Sequence, residues 1–200
     1  FAFVKGLVLS LDYDNNKGVF GTIDYTLQNA VGTASDPYQA QNAISNNQLP
    51  EIQIVPLDWD QIHTLNATLG YSNKVYGNYS IIARFGSGLP YTPESSEDIS
   101  SLTYNSSRKP FTSSIDFRAS KNFVFQKLNF TLFTRIKNLF DTLNENIVYN
   151  DSGQAGYTRY KDLAKAQNTD ESINTVDQWF ENETFYSNPR RIEIGLNIDF

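Results

Sequence analysis

The last ten residues of the chain alternate between apolar side chains and mostly polar ones. The apolar positions are Ile192, Ile194, Leu196, Ile198 and Phe200. The positions between them are Arg191, Glu193, Gly195, Asn197 and Asp199. A period of two places these sets on opposite faces of a β-strand. Because charges occupy one face, the pattern predicts a strand with apolar surroundings on one side and polar, hydrated surroundings on the other.

Six earlier segments repeat this alternation and pair into three predicted hairpins. The alternating positions fall within 7–13 and 19–27, within 63–72 and 79–85, and within 114–119 and 128–136, and the strands of each pair can extend toward the turn between them. Turn-forming residues lie between the partners, at 15–18, near 73–74 and near Gln126. With the final strand, the pattern predicts an all-β chain of about seven antiparallel strands.

The connections between these strands are strongly unequal in length. Those within hairpins have about four residues or fewer, whereas the others cover approximately 32–58, 87–111 and 141–189. Compact soluble domains rarely carry several such long loops, but outer-membrane barrels pair short periplasmic turns with long extracellular loops. We therefore predict an antiparallel transmembrane β-barrel segment whose loops are extracellular and whose last strand ends at the periplasmic face.

Composition narrows the classes of function. The chain has a net charge of -6 with 16 Lys plus Arg, which predicts no nucleic-acid partner. It has one His and no Cys, so no catalytic residues, metal site or cofactor are predicted, and we do not expect an enzyme. His63 could serve as a ligand or an acid, although a strand residue at the membrane rim is the favoured interpretation. The Asp12-x-Asp14-x-Asn16 pattern resembles the start of a calcium loop, but a hairpin turn explains it better.

The sequence also predicts that this chain is one part of a larger barrel. It contains no Met, begins at Phe1 and shows no signal peptide, which indicates a processed product or a fragment. Seven strands are an odd number, whereas bacterial single-chain barrels close with an even number. We expect the remaining strands to precede residue 1.

Several segments, taken in order, resemble the C-terminal strands of TonB-dependent outer-membrane receptors. These are 88–93 (GLPYTP), 137–141 (KNLFD) and 189–200 (PRRIEIGLNIDF). Further segments are similar to the large Oar-like receptors of Bacteroidetes: 34–37 (ASDP), 56–66 (PLDWDQIHTLN) and 149–158 (YNDSGQAGYT). The resemblance identifies residues 1–200 as the C-terminal part of such a barrel, without its N-terminal plug.

The resemblance implies active uptake of a scarce solute across the Gram-negative outer membrane. It implies a 22-stranded barrel in membrane lipid, closed by a plug and energised through contact with TonB. It also implies that the barrel-assembly machinery reads the terminal aromatic Phe200 together with Leu196 and Ile198. The alternative for these three residues is a strand that simply seals the edge of the sheet.

Charged strand residues are the candidates for contact with the plug or the substrate. An Arg in lipid costs about 2–4 kcal/mol at the midplane, so these residues should face the lumen. They are Arg84, Asp116, Arg118, Arg135, Arg191 and Glu193. Candidates for an extracellular vestibule are Tyr91, Tyr157, Trp179 and Phe180, although packing inside the loop is the favoured interpretation for the last two.

The longest connection carries two local signals. Thr175-Val176-Asp177-Gln178 has the form of a capping box and predicts about two turns of helix running toward Glu183. Its acidic residues could favour cationic ligands, but a solvated surface is the default interpretation. These are Asp170, Glu171, Asp177, Glu181 and Glu183.

Two other functions remain open at this stage. One is a scaffold or surface-adhesion role in a larger outer-membrane assembly that uses the long loops as the binding face. The other is a soluble all-β binding module such as a lectin sandwich, which predicts mixed cores on both strand faces. The charged face of the last strand argues against the soluble module.

Overall fold

The computed structural model describes residues 1–36, 38–50, 52–94, 104–126, 128–167 and 175–199, and ten strands dominate this part of the chain. In chain order they are β1 Ala2–Asp14, β2 Val19–Gly32, β3 Val55–Pro56, β4 His63–Asn73, β5 Gly77–Gly86, β6 Pro90–Tyr91, β7 Ser107–Arg108, β8 Thr112–Phe125, β9 Leu128–Lys137 and β10 Arg191–Asp199. Seven are long, and β3, β6 and β7 have two residues each.

The seven long strands form one antiparallel sheet in the order β1-β2-β4-β5-β8-β9-β10. The predicted all-β, antiparallel arrangement is therefore confirmed. Short strand β3 adds to β2, while β6 and β7 pair with each other in a small second sheet. Because each long strand pairs with the next one along the chain, the sheet is a simple meander.

Asparagines and glycines shape two of the tight turns as the sequence predicts. The Asn15 side-chain oxygen accepts hydrogen bonds from the backbone N–H groups of Lys17 and Val19, both at 3.0 Å. Asn73 does the same for Val75 and Tyr76, at 2.8 and 3.1 Å. Side-chain oxygens that replace backbone acceptors favour such turns, so each hairpin register is set locally.

The long connections all leave the same edge of the sheet, which we call the loop side; the opposite edge is the turn side. Loop 1 is 33–62, loop 2 is 87–111 and loop 3 is 138–190. These loops contain regular secondary structure. In addition to the short strands they include α1 Gln39–Ser45, α2 Arg159–Gln167, α3 Val176–Phe180 and a 3₁₀ turn at Glu183–Phe185. None of the described helices is both long enough and apolar enough to span a membrane.

Helix α3 confirms the capping box but is shorter than predicted. The Thr175 hydroxyl accepts from the N–H of Gln178 at 3.3 Å, and the Gln178 side chain accepts from the N–H of Thr175 at 3.1 Å. The helix ends at Phe180 because Glu181 adopts an extended backbone conformation, with φ -77° and ψ 115°. A separate 3₁₀ turn, capped by the Asn182 side chain, then replaces the predicted second turn.

The strand register separates apolar and charged residues onto opposite faces across all seven strands. We call apolar face the surface formed by Leu7, Leu9, Leu11, Tyr13, Val19, Ile23, Tyr25, Leu27, His63, Leu65, Ala67, Leu69, Tyr71, Tyr79, Ile81, Ala83, Phe85, Ile115, Phe117, Ala119, Phe123, Phe125, Leu128, Phe130, Leu132, Thr134, Ile136, Ile192, Ile194, Leu196 and Ile198. On this side of the sheet, the described residues of the seven long strands include only two Lys or Arg side chains, Lys5 and Lys121, and no acidic one. The reverse surface, the polar face, carries the strands' other charges.

The apolar face is not covered by any described part of the chain. Leu11 is 63% exposed, Leu69 59% and Ile194 72%. Described apolar residues that are fully buried lie instead at or beyond the loop-side ends of the strands: Ala30, Val55, Leu57, Val148 and Ala155. The accessible surface of 14526 Å² compares with roughly 9,500 Å² expected for a folded monomer of this size. The sheet therefore presents to its surroundings the surface that a globular domain buries.

Two phenylalanines on the polar face each cover a glycine on the neighbouring strand. Phe20 lies opposite Gly70, and its ring atoms come within 2.2 Å of where a Cβ on Gly70 would stand. Phe133 covers Gly195 in the same way, at 2.3 Å. A ring laid over a glycine stabilises strand pairing where no side chain is available for packing.

Candidate functional site

The six predicted charged residues of the strands all lie on the polar face, where they form two clusters. In the first, Arg84 donates to Asp116 Oδ2 at 2.9 Å. Asp116 is 8% exposed, and its other oxygen accepts from the backbone N–H of Asn138 at 3.0 Å. Asp116 thus ties β5 and β8 to the residue that follows β9.

The second cluster carries an excess of positive charge. Arg118 and Arg135 lie directly opposite each other on β8 and β9, and Glu193 lies opposite Arg135 on β10. Glu193 contacts Arg191 Nε at 2.9 Å but Arg135 only at 4.0 Å. Arg118 makes no hydrogen bond or ion pair with any residue that the structure describes. Like charges placed opposite each other across strands are destabilising, so this cluster favours an anionic group above it.

A shallow cleft lies over the second cluster. Its volume is approximately 360 Å³, and its lining includes Phe20 and Phe133 as well as Arg118 and Arg135. The Arg135 guanidinium lies 5.0 Å from the centre of the Phe133 ring. The polar face therefore offers a preformed, cationic depression bounded by two aromatic rings.

The KNLFD segment is a structural turn. Asn138 adopts a left-handed backbone with φ 52°, and its side chain donates to the carbonyls of Thr142 and Asn188 at 3.0 and 3.1 Å. It also accepts from the N–H of Thr142 at 2.9 Å. Asp141, with φ 57°, accepts from the N–H of Arg190 at 2.7 Å. The motif thus joins the two ends of loop 3.

A buried ion pair that the sequence did not predict links loops 1 and 2. Asp60 is 1% exposed and pairs with the guanidinium of Arg108 in β7. Arg108 also donates to the carbonyls of Asp60 and Gly88, at 2.8 and 3.2 Å. Asp60 Oδ1 accepts from the fully buried N–H of Ala30 at 2.6 Å. The segment that contains Asp60, PLDWDQ, was identified from the sequence as part of a resemblance. Arg108, the partner of Asp60, lies 48 residues further along the chain.

A second contact between these loops surrounds Asp58. Its Oδ1 accepts from Tyr104 at 2.9 Å and from Asn105 at 2.7 Å, and Asn105 also donates to the carbonyl of Pro56 at 2.8 Å. Burial, together with the hydrogen bond to Asp58, raises the pKa of Tyr104 to about 12. Tyr104 therefore stays protonated as a donor at neutral pH.

Loop 3 packs against loop 2 through the tight turn at 149–154. The Tyr91 hydroxyl lies 2.3 Å from where a Cβ on Gly153 would stand, and Gly153 has φ +71°, so a glycine suits this position for two reasons. The N–H of Glu94 donates to the carbonyl of Asn150 at 2.8 Å. The Tyr149 hydroxyl donates to the carbonyl of Phe180 at 2.9 Å. Tyr91 and Phe180 therefore both contact this turn.

The other two vestibule candidates have different surroundings. Tyr157 donates to Asp162 at 2.9 Å, and this hydrogen bond to a carboxylate raises the pKa of Tyr157. Trp179 is 80% exposed on α3. Packing within the loop, the favoured interpretation for Trp179 from the sequence, does not agree with this exposure.

Much of the described acidic charge of loop 3 is already partnered. Asp177 contacts the ammonium groups of Lys161 and Lys165, each at 2.8 Å, and these partners hold the pKa of Asp177 below its usual value. Asp151 accepts from the Thr158 hydroxyl at 2.9 Å. Two of the predicted acidic residues, Asp170 and Glu171, lie outside the described residues.

A cleft of approximately 440 Å³ opens in loop 3. It is lined by Leu143, Ala155, Gly156, Phe180, Glu181, Asn182, Glu183, Tyr186, Ser187 and Pro189. Tyr186 is held in place by an antiparallel bridge to Glu145, whose carboxylate accepts from the N–H of Ala155 at 2.6 Å. Burial, followed by the negative charge of Glu145, raises the pKa of Tyr186. The sequence predicted Phe180 here but not Tyr186.

Among the described residues, no cluster of reactive or ligand-binding side chains surrounds the remaining candidates. His63 begins β4, where its Nδ1 lies 2.8 Å from the Tyr25 hydroxyl and the rings stack at 6.1 Å. Within the described residues no group of three His, Asp or Glu side chains could hold a metal ion. Leu196 and Ile198 lie exposed on the apolar face, while Phe200 lies outside the described residues.

Comparisons of the chain with protein-family models, with curated proteins and with solved structures gave no match. What the chain does must therefore be argued from its own geometry.

Proposed function

We propose that this chain forms part of the wall of a TonB-dependent receptor in the Gram-negative outer membrane. The observation that carries the proposal is the exposed apolar face, which continues across all seven long strands while the strand charges lie almost entirely on the reverse side. A surface of this kind and size is unfavourable in water, and lipid is the surrounding that matches it.

Aromatic residues support the assignment of two membrane interfaces. On the apolar face, Tyr13, Tyr71 and Tyr79 lie toward the turn side. Toward the loop side, His63 stacks on Tyr25, and Phe85 lies 5.6 Å from Phe111. His63 and Tyr71 are eight residues apart on β4, or roughly 27 Å along an extended strand, which a strand tilt of about 35–45° reduces to about 19–22 Å across the membrane. Outer-membrane barrels carry an apolar band of about 25 Å between two such girdles.

The two outer strands indicate that other strands complete the barrel. Neither β1 nor β10 pairs along its outer edge with any described residue. Unpaired backbone groups in lipid cost several kcal/mol each, so further strands of the same barrel are expected at both edges. The barrel-assembly machinery is the expected partner during insertion. We place the loops outside the cell and the turns in the periplasm.

Active import of a scarce solute is the function we propose for the complete receptor. The ordered resemblance of the segments at 88–93, 137–141 and 189–200 supports it. In this arrangement the polar face looks into the lumen, where its cationic cluster faces the plug. The proposal assigns this chain no catalytic step. A scaffold or adhesion role is the second candidate, supported by the extent of loops 1–3.

Spin labels test the membrane assignment directly. The chain contains no Cys, so a single cysteine can be introduced into this segment of the complete polypeptide once any cysteine outside the segment has been replaced by serine. Labels at Leu69 and Ile194 are expected to be accessible mainly to dissolved oxygen, which concentrates in lipid. Labels at Thr68 and Asn197, on the polar face, are expected not to show this preference. If a water-soluble nickel complex reaches Leu69 and Ile194 as readily as oxygen does, the membrane assignment is wrong.

Crosslinking to TonB distinguishes import from a scaffold role. The complete polypeptide carrying this sequence, crosslinked in living cells, is expected to be recovered covalently joined to TonB. The yield should rise when the transported solute is supplied, since loaded receptors recruit TonB. Recovery from the outer membrane without any TonB adduct, alongside a known receptor that does form one, would favour the scaffold.

A further inference from the structure

We propose that the cleft in loop 3 binds a small organic cation that carries an apolar body, such as an arylalkylamine. The proposal rests on the proposed function, because it names the class of solute that an extracellular loop would capture. It adds a binding site and a ligand class that the fold alone does not supply.

The shape and the lining of the cleft suit a ligand of this size. Its volume of approximately 440 Å³ lies in the range of small-molecule sites. Leu143, Ala155 and Pro189 provide apolar contact, and the rings of Phe180 and Tyr186 provide aromatic walls. Aromatic rings attract organic cations through their negative faces, and this attraction strengthens when the cation is partly desolvated.

Two carboxylates at the cleft supply the complementary charge. Glu181 and Glu183 line it, and their side chains make no hydrogen bond or ion pair with any described residue. They differ in this from Asp177, which contacts two lysines at 2.8 Å, whereas Glu181 interacts with Lys161 only electrostatically, without a direct contact. Among the residues that the structure describes, no Lys or Arg lines the cleft. An ammonium group held between these carboxylates and the rings would gain both attractions.

Hydrogen bonds and a ring contact fix the segment 180–185 that borders the cleft, so little ordering is needed on binding. Tyr149 donates to the carbonyl of Phe180 at 2.9 Å, and its ring lies 5.0 Å from that of Phe185. Asn146 and Ile147 donate to the carbonyl of Phe185 at 2.8 and 3.1 Å. A preformed site loses less conformational entropy than a flexible one.

The hydroxyl of Tyr186 adds a polar anchor. It stands 3.0 Å from where a Cβ on Gly156 would lie, and it makes no hydrogen bond with any described residue. Its raised pKa, caused first by burial and then by Glu145, keeps it protonated at neutral pH. The hydroxyl can therefore donate to a polar atom of the ligand while the ring contacts the apolar body.

Trp179 provides a direct measurement of binding. The complete polypeptide is compared with its Trp179→Phe variant, so that the part of the fluorescence change that the variant loses is the signal of Trp179, next to Phe180. Phenethylamine is the probe, and phenethyl alcohol is its uncharged counterpart of similar shape. We expect a saturable change in Trp179 fluorescence, with phenethylamine half-saturating at a concentration at least about tenfold lower than the alcohol.

Charge variants identify the groups responsible. The Glu181→Gln/Glu183→Gln double variant is expected to bring the half-saturating concentration of phenethylamine to that of the alcohol. The matched control, Asp12→Asn/Asp14→Asn, removes two negative charges at the turn side instead. It should leave the half-saturating concentration of phenethylamine unchanged. Equal binding of amine and alcohol, an unaffected glutamate variant, or no saturable change would each overturn the proposal.

Binding in detergent is independent of membrane placement, so the two proposals fail separately. Amine-selective binding combined with nickel access at Leu69 and Ile194 would retain the cleft and reject the barrel. Lipid exposure of Leu69 and Ile194 without amine-selective binding would retain the barrel and reject the cleft as a binding site.

Discussion

Replacing Ile194 with arginine is expected to prevent the chain from assembling in the membrane. Ile194 lies near the middle of β10, is 72% exposed and projects from the apolar face. An arginine facing lipid at this depth costs about 2–4 kcal/mol. A loss of that size is a large fraction of the stability of a typical domain. The measurement is the fraction of the complete polypeptide recovered in folded, heat-modifiable form from the outer membrane.

The control for this experiment uses the same strand and the same new residue. Asn197→Arg places the guanidinium on the polar face of β10, opposite Thr131, where water or polar groups can solvate it. It is expected to assemble at close to the unsubstituted level. Equal assembly of Ile194→Arg and Asn197→Arg would show that the two faces of the sheet are not lipid and lumen.

The second large effect is expected for Asp60→Ala. Asp60 is 1% exposed and joins Arg108 of loop 2 to the buried N–H of Ala30. Removing one partner of a buried ion pair costs about 3–5 kcal/mol, and the lower end applies because the Arg108 side chain is 31% exposed. Loops 1 and 2 should open more often, so limited proteolysis within them should accelerate roughly a hundredfold.

Asp36→Ala is the matched control for Asp60→Ala. Asp36 is also an aspartate of loop 1, but it is exposed, and its side chain accepts from the N–H of Tyr38 at 2.7 Å. Its loss should change the rate of cleavage only slightly. Similar rates for the two variants would mean that the ion pair does not hold loops 1 and 2 together.

The local pattern of the sequence predicted much of the sheet. The faces of β4, β5, β9 and β10 and the turns at 15–18 and 73–74 follow from alternation and from turn-forming residues. These signals act between residues close in the chain, where each side chain's face is set by the period of two. The six charged residues predicted to share one face do so for the same reason.

Other features depended on how distant segments meet. Residues 60 and 108 form a pair across 48 positions, and nothing local to either of them marks the other. The KNLFD segment was identified as a motif, but its role in joining the ends of loop 3 became visible only through the contact of Asn138 with Asn188. The same holds for Tyr186, which enters the cleft through its bridge to Glu145.

The sequence by itself determined the three hairpins, the two faces and the unequal loops, because these follow from alternation and from turn-forming residues that are close together in the chain. The tertiary structure alone decided which loop residues meet. Those contacts depend on the closure of long connections, and many closures are compatible with one local pattern. The Asp60–Arg108 pair and the cleft around Phe180 and Tyr186 therefore belong to the fold of the loops rather than to any motif.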